Sequence, residues 1–372
     1  MTAEHGLVLD IGGGSLQLAH FRDRVLQRSW SLPLGALRMS DRFLRGSAGG
    51  KKGARRLAAA ASAGLAQAGI PELRDDEVLI GTGGTIRNLG KIDTRRHGHP
   101  IARLHGYVLT AGRVRGLNEL LERRSGARLP AIRGLNAART DSIAGGGLLV
   151  ETVMERVGAR RLVVAGLGLR EGLLLEALGL DLPAPAAVRA SSVRALVSRF
   201  SCWDARRAAR RRHLVEQLGA ALSFGANAFA LEMTLVAATV LDIGRNVEYY
   251  RRHEHAAMIL RSAGLNGFGH REVLYLSLII EVSERIEWRE RTFKPLLKDS
   301  DLDEITRSAI ILALADRIEH RIPIARAPRM TVRAGPRTVT ISEAALSSWD
   351  PPEVAAAFER WFSKRLRIRA GR

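Results

Sequence analysis

Residues 7–21 read LVLDIGGGSLQLAHF, and the fold turns on how this stretch is read. Leu7, Val8 and Leu9 form an apolar run that leads into Asp10. Gly12, Gly13 and Gly14 interrupt it, and Leu16, Gln17 and Leu18 resume with strict alternation. That is a strand, a tight turn and a returning strand. Glycines in such a turn permit positive φ and let backbone N–H groups converge on an anion with no Cβ in the way. Ser15 adds a hydroxyl donor. Asp10, at the end of a buried strand, is placed to hold a hydrated divalent cation beside a phosphate that it would itself repel. The same residues also suit an ordinary glycine-rich hairpin with an aspartate in the turn, and this stretch alone leaves both readings open.

The strand–glycine pattern recurs twice. EVLIGTGGTIRNLGKI places an apolar strand, Val78–Ile80, before Gly81, Gly83 and Gly84, with Thr82 and Thr85 beside them and a helix expected from Ile86. RLVVAGLGLREGLLLEAL places Leu162–Ala165 before Gly166 and Gly168. Between these lie strand-like residues to Leu32, a helix expected from Ser40, the Ala-rich helix GARRLAAAASAGLAQAG, and ARTDSIAGGGLLVETVMERVG, which has helical spacing. Three strand–glycine turns joined by helices predict an α/β domain whose site lies at the carboxyl ends of its strands.

LDLPAPAAV, with Pro183 and Pro185, reads as a linker. Beyond it come successive helical segments, from RAARRRHLVEQLGAALSFGANAF to LDEITRSAIILALADRIEH. TVRAGPRTVTISEAAL then predicts two short strands around Gly335 and Pro336, and PPEVAAAFERWFSKRL a last helix followed by a basic tail. The expected order is α/β, then all-α, then a small α+β region.

The chain has 372 residues, 46% of them hydrophobic, enough for a sizeable core in two or three domains. Lys and Arg number 58 against 38 Asp and Glu, a net charge of +20 that favours polyanionic partners. The runs Arg95-Arg96, Arg206-Arg207 and Arg210-Arg211-Arg212 are individually read as solvated helix faces. Aromatic residues at 5% give no stacking platform for single strands, so nucleic acid is not the expected partner. The single cysteine, Cys202, excludes an internal disulfide and any multi-cysteine zinc site. No signal-like segment or membrane-length apolar run is present, and a cytoplasmic location is the expectation.

DIGGGS, SLPLGALRMSDRF, GTGGTIRNLGKI, NAARTDSIAGGGLLVETVM and GLGLREGLL, in this order, resemble the second actin-like half of the Ppx/GppA family of exopolyphosphatases and guanosine pentaphosphate phosphohydrolases. The helices with VLDIG, HEH and LNGFGHRE resemble its HD-like domain, and the end of the chain its small terminal region. The resemblance implies an actin/Hsp70-like (ribonuclease H-like) fold over residues 1–182, an HD-like helical domain over 188–325 and a small α+β region over 326–372. It implies release of terminal phosphate from inorganic polyphosphate or pppGpp with Mg²⁺, and a homodimer. By the same resemblance Asp10 matches the metal-associated aspartate; Gly12, Gly13, Gly14 and Ser15 the phosphate loop; and Gly81 to Thr85 with Arg87 the second glycine turn, of which Gly83, Gly84, Thr85 and Arg87 are the expected phosphate contacts. Arg139 and Asp141 match a paired Arg/Asp, read as a structural salt bridge. Gly168, Arg170 and Glu171 match a GLREG turn.

The chain departs from the family pattern in three places. Members begin with a further phosphate loop upstream, in the half that carries the glutamate activating the attacking water. That half is not in this sequence, where Glu4 is the only acidic residue before the loop. The catalytic base is therefore expected outside these residues. Gln17 stands where the family has an acid, which weakens the expected Mg²⁺ site. In the HD-like region Arg211 replaces the first histidine and Leu241 precedes Asp242, so Asp242 is read as a helix-end or salt-bridge residue, and His213, His253, His255 and His270 as surface or interface groups rather than ligands. Two functions follow: a phosphohydrolase with arginines of the helical domain channelling the polyanion, or a non-catalytic module that binds polyphosphate or (p)ppGpp.

Overall fold

The computed structural model describes residues 2–371 apart from 46–49, 124–130, 223, 225–226, 288–292, 294–295, 324–325, 327–328 and 348. The chain forms two compact units, 1–188 and 189–372.

The first unit is built on β1 (Gly6–Ile11), β2 (Leu16–Arg22), β3 (Val25–Leu32), β4 (Val78–Thr82), β5 (Val108–Thr110) and β6 (Arg161–Val164), in the sheet order β3-β2-β1-β4-β6-β5. β1, β4 and β6 are parallel, β2 and β3 continue antiparallel from β1, and β5 closes the far edge antiparallel to β6. Leu7, Leu9, Ile11, Leu16 and Leu18 all point into one core layer, as the alternation in the opening stretch requires. β5 carried no sequence signal beyond three residues.

The helices are α1 (Ala36–Phe43), α2 (Gly50–Gln67), α3 (Gly83–Arg96), α4 (Ala111–Arg123), α5 (Ile143–Arg156) and α6 (Leu169–Ala177). α2 buries Gly53, Leu57, Ala61 and Leu65, a stripe at four-residue spacing. α5 is the hub of the helical layer, touching α1, α2, α3 and α4. Its Gly145-Gly146-Gly147 run serves packing: a Cβ would strike Ser40 of α1, Thr85 of α3 and Asn118 of α4 respectively, all within 2.3 Å. This glycine triplet is a contact surface for three helices, whereas the one at residues 12–14 is not.

Two boundaries differ from the sequence expectation. α1 starts at Ala36 rather than Ser40, because the carbonyls of Gly12 and Gly13 accept the N–H groups of Ala36, Leu37 and Arg38 and cap the helix from outside. α3 starts at Gly83 rather than Ile86, so β4 passes into the helix through one residue, Gly83 at φ +85°.

The second unit begins in α7 (Val188–Val197) and continues through α8 (Ala205–Ala221), α9 (Ala228–Val240), α10 (Arg252–Ser262), α11 (His270–Arg285) and α12 (Asp299–Glu319). α11 and α12 are buried along most of their length, which is why their sequences are apolar on more than one face. The chain ends in β7 (Thr331–Ala334), β8 (Thr338–Ser342), α13 (Pro352–Phe362) and β9 (Arg365–Arg369). The expected basic tail is this third strand, parallel to β8, and its Arg-Leu-Arg-Ile-Arg alternation is the strand signal. Val339, Ile341 and Leu366 are buried, and α13 packs on β9. Among the described residues no helix is long and apolar enough to cross a membrane.

Candidate functional site

The carboxyl ends of β1 and β4 lie side by side, with Asp10 paired in register with both Gln17 and Thr82. From these ends rise the Gly12–Ser15 turn and the amino terminus of α3. The turn is closed by the Gly12 N–H donating to the Ser15 carbonyl at 2.9 Å. Among the described residues no hydrogen bond uses the N–H groups of Gly13, Gly14 or Ser15. Positive φ, expected of this triplet, is not what it uses: none of the three lies in the left-handed region. Nor does packing demand glycine there, since a Cβ on Gly14 meets nothing within 4 Å and one on Gly13 only Leu37 at 3.8 Å. The turn presents bare backbone to open space.

The second glycine turn is tighter. Gly83 must be glycine twice over, by its φ and because the Asp10 Oδ1 lies 2.2 Å from where its Cβ would stand. Thr82, the residue before α3, spends its hydroxyl on the Leu167 carbonyl at 3.0 Å, and Thr85 donates to the Ile11 carbonyl at 3.2 Å. Neither caps the helix, so the first N–H groups of this 14-residue helix remain open with the positive end of its dipole. Free N–H groups at a helix start beside a bare glycine turn form an anion cradle.

Two arginines flank it. Arg87 donates through Nε to the Gly83 carbonyl at 3.2 Å and through Nη1 to the Gly166 carbonyl at 3.4 Å, tying the second and third glycine turns together. Arg139 is the residue that sequence reasoning undervalued. It does not pair with Asp141; its guanidinium lies over Gly84, with Nη2 2.2 Å from the position of a Cβ there. Among the described residues it has no ion-pair partner. It is presented by a short 3₁₀ turn, Ala137–Arg139, capped by the Asn136 side chain and tied to α3 through Asn88. Beside the paired Arg/Asp of the resemblance, the local sequence signal was Asn136, a capping residue three positions before the arginine.

Asp10 is half-buried, and burial raises its carboxyl above the ordinary 3.8, with the nearby Arg87 charge acting against the shift. A carboxylate held in this way, with no hydrogen-bond donor on it among the described residues, suits a cation. Gln17 donates to the Ser15 Oγ at 2.6 Å and so shapes the turn without adding charge. Glu171 caps α6 through the Gly168 N–H at 2.6 Å, which lowers its pKa; Arg170 beside it is exposed. Glu4 sits at the opposite end of β1, where its carbonyl accepts from Arg24 in the β2–β3 turn, far from any phosphate at Gly12–Ser15. A separate cavity of about 520 Å³ in this unit is lined by Glu119, Glu122, Asp141 and Glu151 with only Arg45 and Arg115 as cations, a net acidic lining.

In the second unit the Arg206–Arg212 runs are only in part a solvated face, with Arg206 and Arg212 exposed. Arg207, Arg210 and Arg211 turn inward, Arg211 with no exposure at all. Its guanidinium bonds the Ala238 carbonyl at 3.0 Å and Asp242 at 2.7 Å and stands 3.0 Å from Asp316. Arg252 bridges the same two carboxylates at 2.9 and 2.5 Å. Asp242 is thus the salt-bridge residue expected. His253 and His270 are buried rather than surface groups, and burial pushes the His253 imidazole down to about 3. Among the described residues no cluster of three or more His, Cys, Asp or Glu could hold a metal.

Comparison with known proteins bears on both units. Residues 1–180 match the model of the Ppx/GppA phosphatase family, and residues 188–338 match Ppx/GppA phosphatase, domain III. Exopolyphosphatase 1 of Mycobacterium tuberculosis is 29% identical over 189 residues, 50% of this chain and 55% of that protein. The Mycobacterium leprae Exopolyphosphatase 1 is 27% identical over 185 residues, 49% of this chain and 54% of that protein. The chain thus matches little more than half the length of these relatives. Among solved structures, the Aquifex aeolicus Ppx/GppA family member aligns with a TM-score of 0.43 at 23% identity, over 47% of this chain and 56% of that one. An exopolyphosphatase from Cytophaga hutchinsonii aligns at 0.42 and 24%, over 49% and 59%.

Proposed function

This chain belongs to the Ppx/GppA phosphatase family, and from that premise we propose that its first unit is the second actin-like half of a phosphohydrolase that releases terminal phosphate from inorganic polyphosphate or pppGpp. The observation that carries the reading is the convergence of the bare Gly12–Ser15 turn, the uncapped start of α3, the unpaired Arg139 and the cation-ready Asp10 at adjoining strand ends.

Phosphoryl transfer asks mainly for positioning and charge neutralisation. The N–H groups of Gly13, Gly14 and Ser15 and of Gly83, Gly84 and Thr85 would hold the phosphate oxygens, and Arg139 would neutralise charge on the departing group. Arg87 keeps the turns in place. Asp10 would carry Mg²⁺, which supplies charge neutralisation at the anhydride when bound. Hydrolysis breaks the terminal P–O anhydride bond as water adds to phosphorus, and the proton lost by the water needs a base. That base comes in this reading from a facing half that these 372 residues do not include. α6, with leucines around its circumference and no buried residue, supplies the apolar face such a half would cover.

The helical second unit is read as the HD-like domain with its metal set replaced by the Arg211–Asp242–Asp316 network, and the final sheet as the small terminal region. The boundaries 1–182, 188–325 and 326–372 remain our functional division. A second reading, a module that captures polyphosphate or (p)ppGpp without turnover, is favoured by Gln17, an amide where the family has an acid.

Incubation with long-chain polyphosphate and separately with pppGpp, in Mg²⁺ and then in EDTA, tests the site by binding and by the orthophosphate released. Metal-dependent release that disappears in Asp10→Asn supports the hydrolase and puts its base within this chain. Binding without release fits a hydrolase half whose base is supplied from elsewhere or the capture module, and absence of both rejects the site.

A further inference from the structure

The cavity among α1, α2, α4 and α5 has a lining opposite in charge to the phosphate cradle. It holds about 520 Å³. Leu44, Leu121, Ala144 and Leu148 give it an apolar wall, in which Leu121 is 1% exposed. Glu119, Glu122, Asp141 and Glu151 set four carboxylates against Arg45 and Arg115. In a chain of net charge +20 this is the reverse of the average surface.

The two arginines do not cancel the charge at its free carboxylates. Arg45 pairs with Asp41 at 2.8 Å, outside the lining. Arg115 pairs with Glu151 at 3.3 Å, and the Asn118 amide donates to the same carboxylate at 2.6 Å. Glu119 has Arg123 at 3.8 Å, with both side chains more than half exposed, and pairs of that kind contribute little. Among the described residues Glu122 and Asp141 have no ion-pair partner, and both are exposed. Two buried atoms of the lining residues are unmatched as well: Ser40 Oγ, on a residue 2% exposed, and Asn118 Oδ1 have no hydrogen-bond partner. Buried polar atoms left open call for a partner. The lining as a whole suits a molecule with an apolar body and positively charged N–H donors.

We propose that this cavity binds a small organic ammonium ion, its apolar body against Leu44, Leu121 and Leu148 and its charge at Asp141 and Glu122, and that its occupancy tightens phosphate binding at the glycine turns. The volume is that of a small-molecule site, and a few polar groups on an apolar lining are the usual composition of one. A bare metal ion would gain nothing from the leucines, and among the described residues no cluster of three or more His, Cys, Asp or Glu could hold it.

Two connections join the cavity to the cradle. Asp141 follows Arg139 by two residues, and the Ser142 N–H donates to the Arg139 carbonyl at 3.1 Å, so one hydrogen-bonded turn carries both side chains. α1, which brings Ser40 to the cavity, is capped at its start by the Gly12 and Gly13 carbonyls of the glycine turn. Asp141 is also the acidic residue nearest to Arg139 in the chain. An ammonium held at Asp141 removes that carboxylate as a competitor for the Arg139 guanidinium, which then stays over Gly84. The link to phosphate rests on the reading of the glycine turns as a phosphate site, whereas the cavity stands apart from it.

The test titrates the full chain with benzylammonium, and with benzyl alcohol and benzoate as neutral and anionic molecules of similar shape. Benzylammonium should bind about tenfold or more tightly than either. Glu122→Gln/Asp141→Asn, two changes at exposed positions, should weaken it about tenfold while leaving benzyl alcohol unaffected. If the double variant fails to fold, Glu122→Lys alone should weaken benzylammonium binding. Saturating benzylammonium should tighten tripolyphosphate binding about fivefold in the wild type and not in the variant. Benzyl alcohol binding as well as the ammonium, or variants that bind the ammonium as well as the wild type, would overturn the site. Benzylammonium binding with no change in tripolyphosphate affinity would overturn its link to the cradle. A wild type that binds no tripolyphosphate at all would instead sink the glycine-turn reading, and the comparison of benzylammonium with benzyl alcohol would still decide the cavity.

Discussion

The Asp10 carboxylate occupies the space that a Cβ on Gly83 would need, its Oδ1 2.2 Å from that position, at a residue whose φ of +85° already selects glycine. The two strand ends are thus fitted to each other around the proposed site. Gly83→Ala must displace the carboxylate and strain the backbone together. We expect a loss of roughly 2 kcal/mol or more in chemical denaturation and at least tenfold weaker tripolyphosphate binding. A variant that binds normally would show that the Asp10–Gly83 fit is incidental to the ligand.

Asp10 also separates stability from function. Burial raises its folded-state pKa above 3.8, so between the two values the folded protein binds the proton more tightly than the unfolded chain, and stability falls as pH rises through this window. At neutral pH the ionised carboxylate is a burden on the fold. Asp10→Asn should melt higher than the wild type at pH 7, with the difference fading below about pH 4. Mg²⁺ should narrow the gap by stabilising only the wild type. A lower melting temperature for the variant at pH 7 would contradict the assignment.

Arg139 and Arg87 should behave differently although both flank the cradle. Arg139 has no partner among the described residues, so Arg139→Ala should leave the melting temperature within a degree or two and weaken phosphate binding about tenfold. Arg87→Ala removes two carbonyl contacts that hold the turns. It should lower stability and binding together. Calorimetric titration with tripolyphosphate alongside thermal melts reads both, and equal behaviour of the two variants would argue against distinct roles.

Much of this site was legible in sequence because the signals were local. Leu7 to Leu18 alternate about a glycine break, and the sheet follows that alternation residue by residue. The start of α1 was not legible, since its cap comes from the carbonyls of Gly12 and Gly13, more than twenty residues upstream. Arg139 reads in sequence as the salt-bridge partner of Asp141 for the same reason: its meaning lies in Gly84, across the fold. The inward turn of Arg207, Arg210 and Arg211 depends on Asp316 and Glu319, over a hundred residues later, and no window on the arginine run could contain that information. Arg365, Arg367 and Arg369 alternate with Leu366 and Ile368, so β9 was readable and was misread as a tail because its partner strand precedes α13.

Arg211 supports the sharpest stability prediction. Its guanidinium compensates Asp242 and Asp316 in a fully buried position. Arg211→Met leaves those charges short of a partner and should cost about 3–5 kcal/mol. Arg211→Lys should rescue little, because one ammonium cannot meet the Ala238 carbonyl and both carboxylates with the geometry of a planar fork. The pKa values of Asp242 and Asp316 are depressed by these arginines. Their contribution is therefore present above about pH 4 and lost as pH falls toward the folded-state values. Far-UV dichroism during acid titration should show the wild type losing helix on that limb, and the Arg211→Met variant losing it at higher pH.

α6 and the residue after it leave four leucines uncovered among Arg170, Glu171 and Glu176: Leu169, Leu173, Leu174 and Leu178 are 54–75% exposed, and no residue of the helix is buried. A helix of that composition is normally covered, and leucines outside a core add nothing to the stability of the unit that carries them. Replacing these four with Gln should therefore leave the melting temperature unchanged while removing any concentration-dependent association seen by analytical ultracentrifugation. If the substitutions instead unfold the first unit, α6 belongs to its core. If they change neither property, these leucines take no part in self-association of the chain.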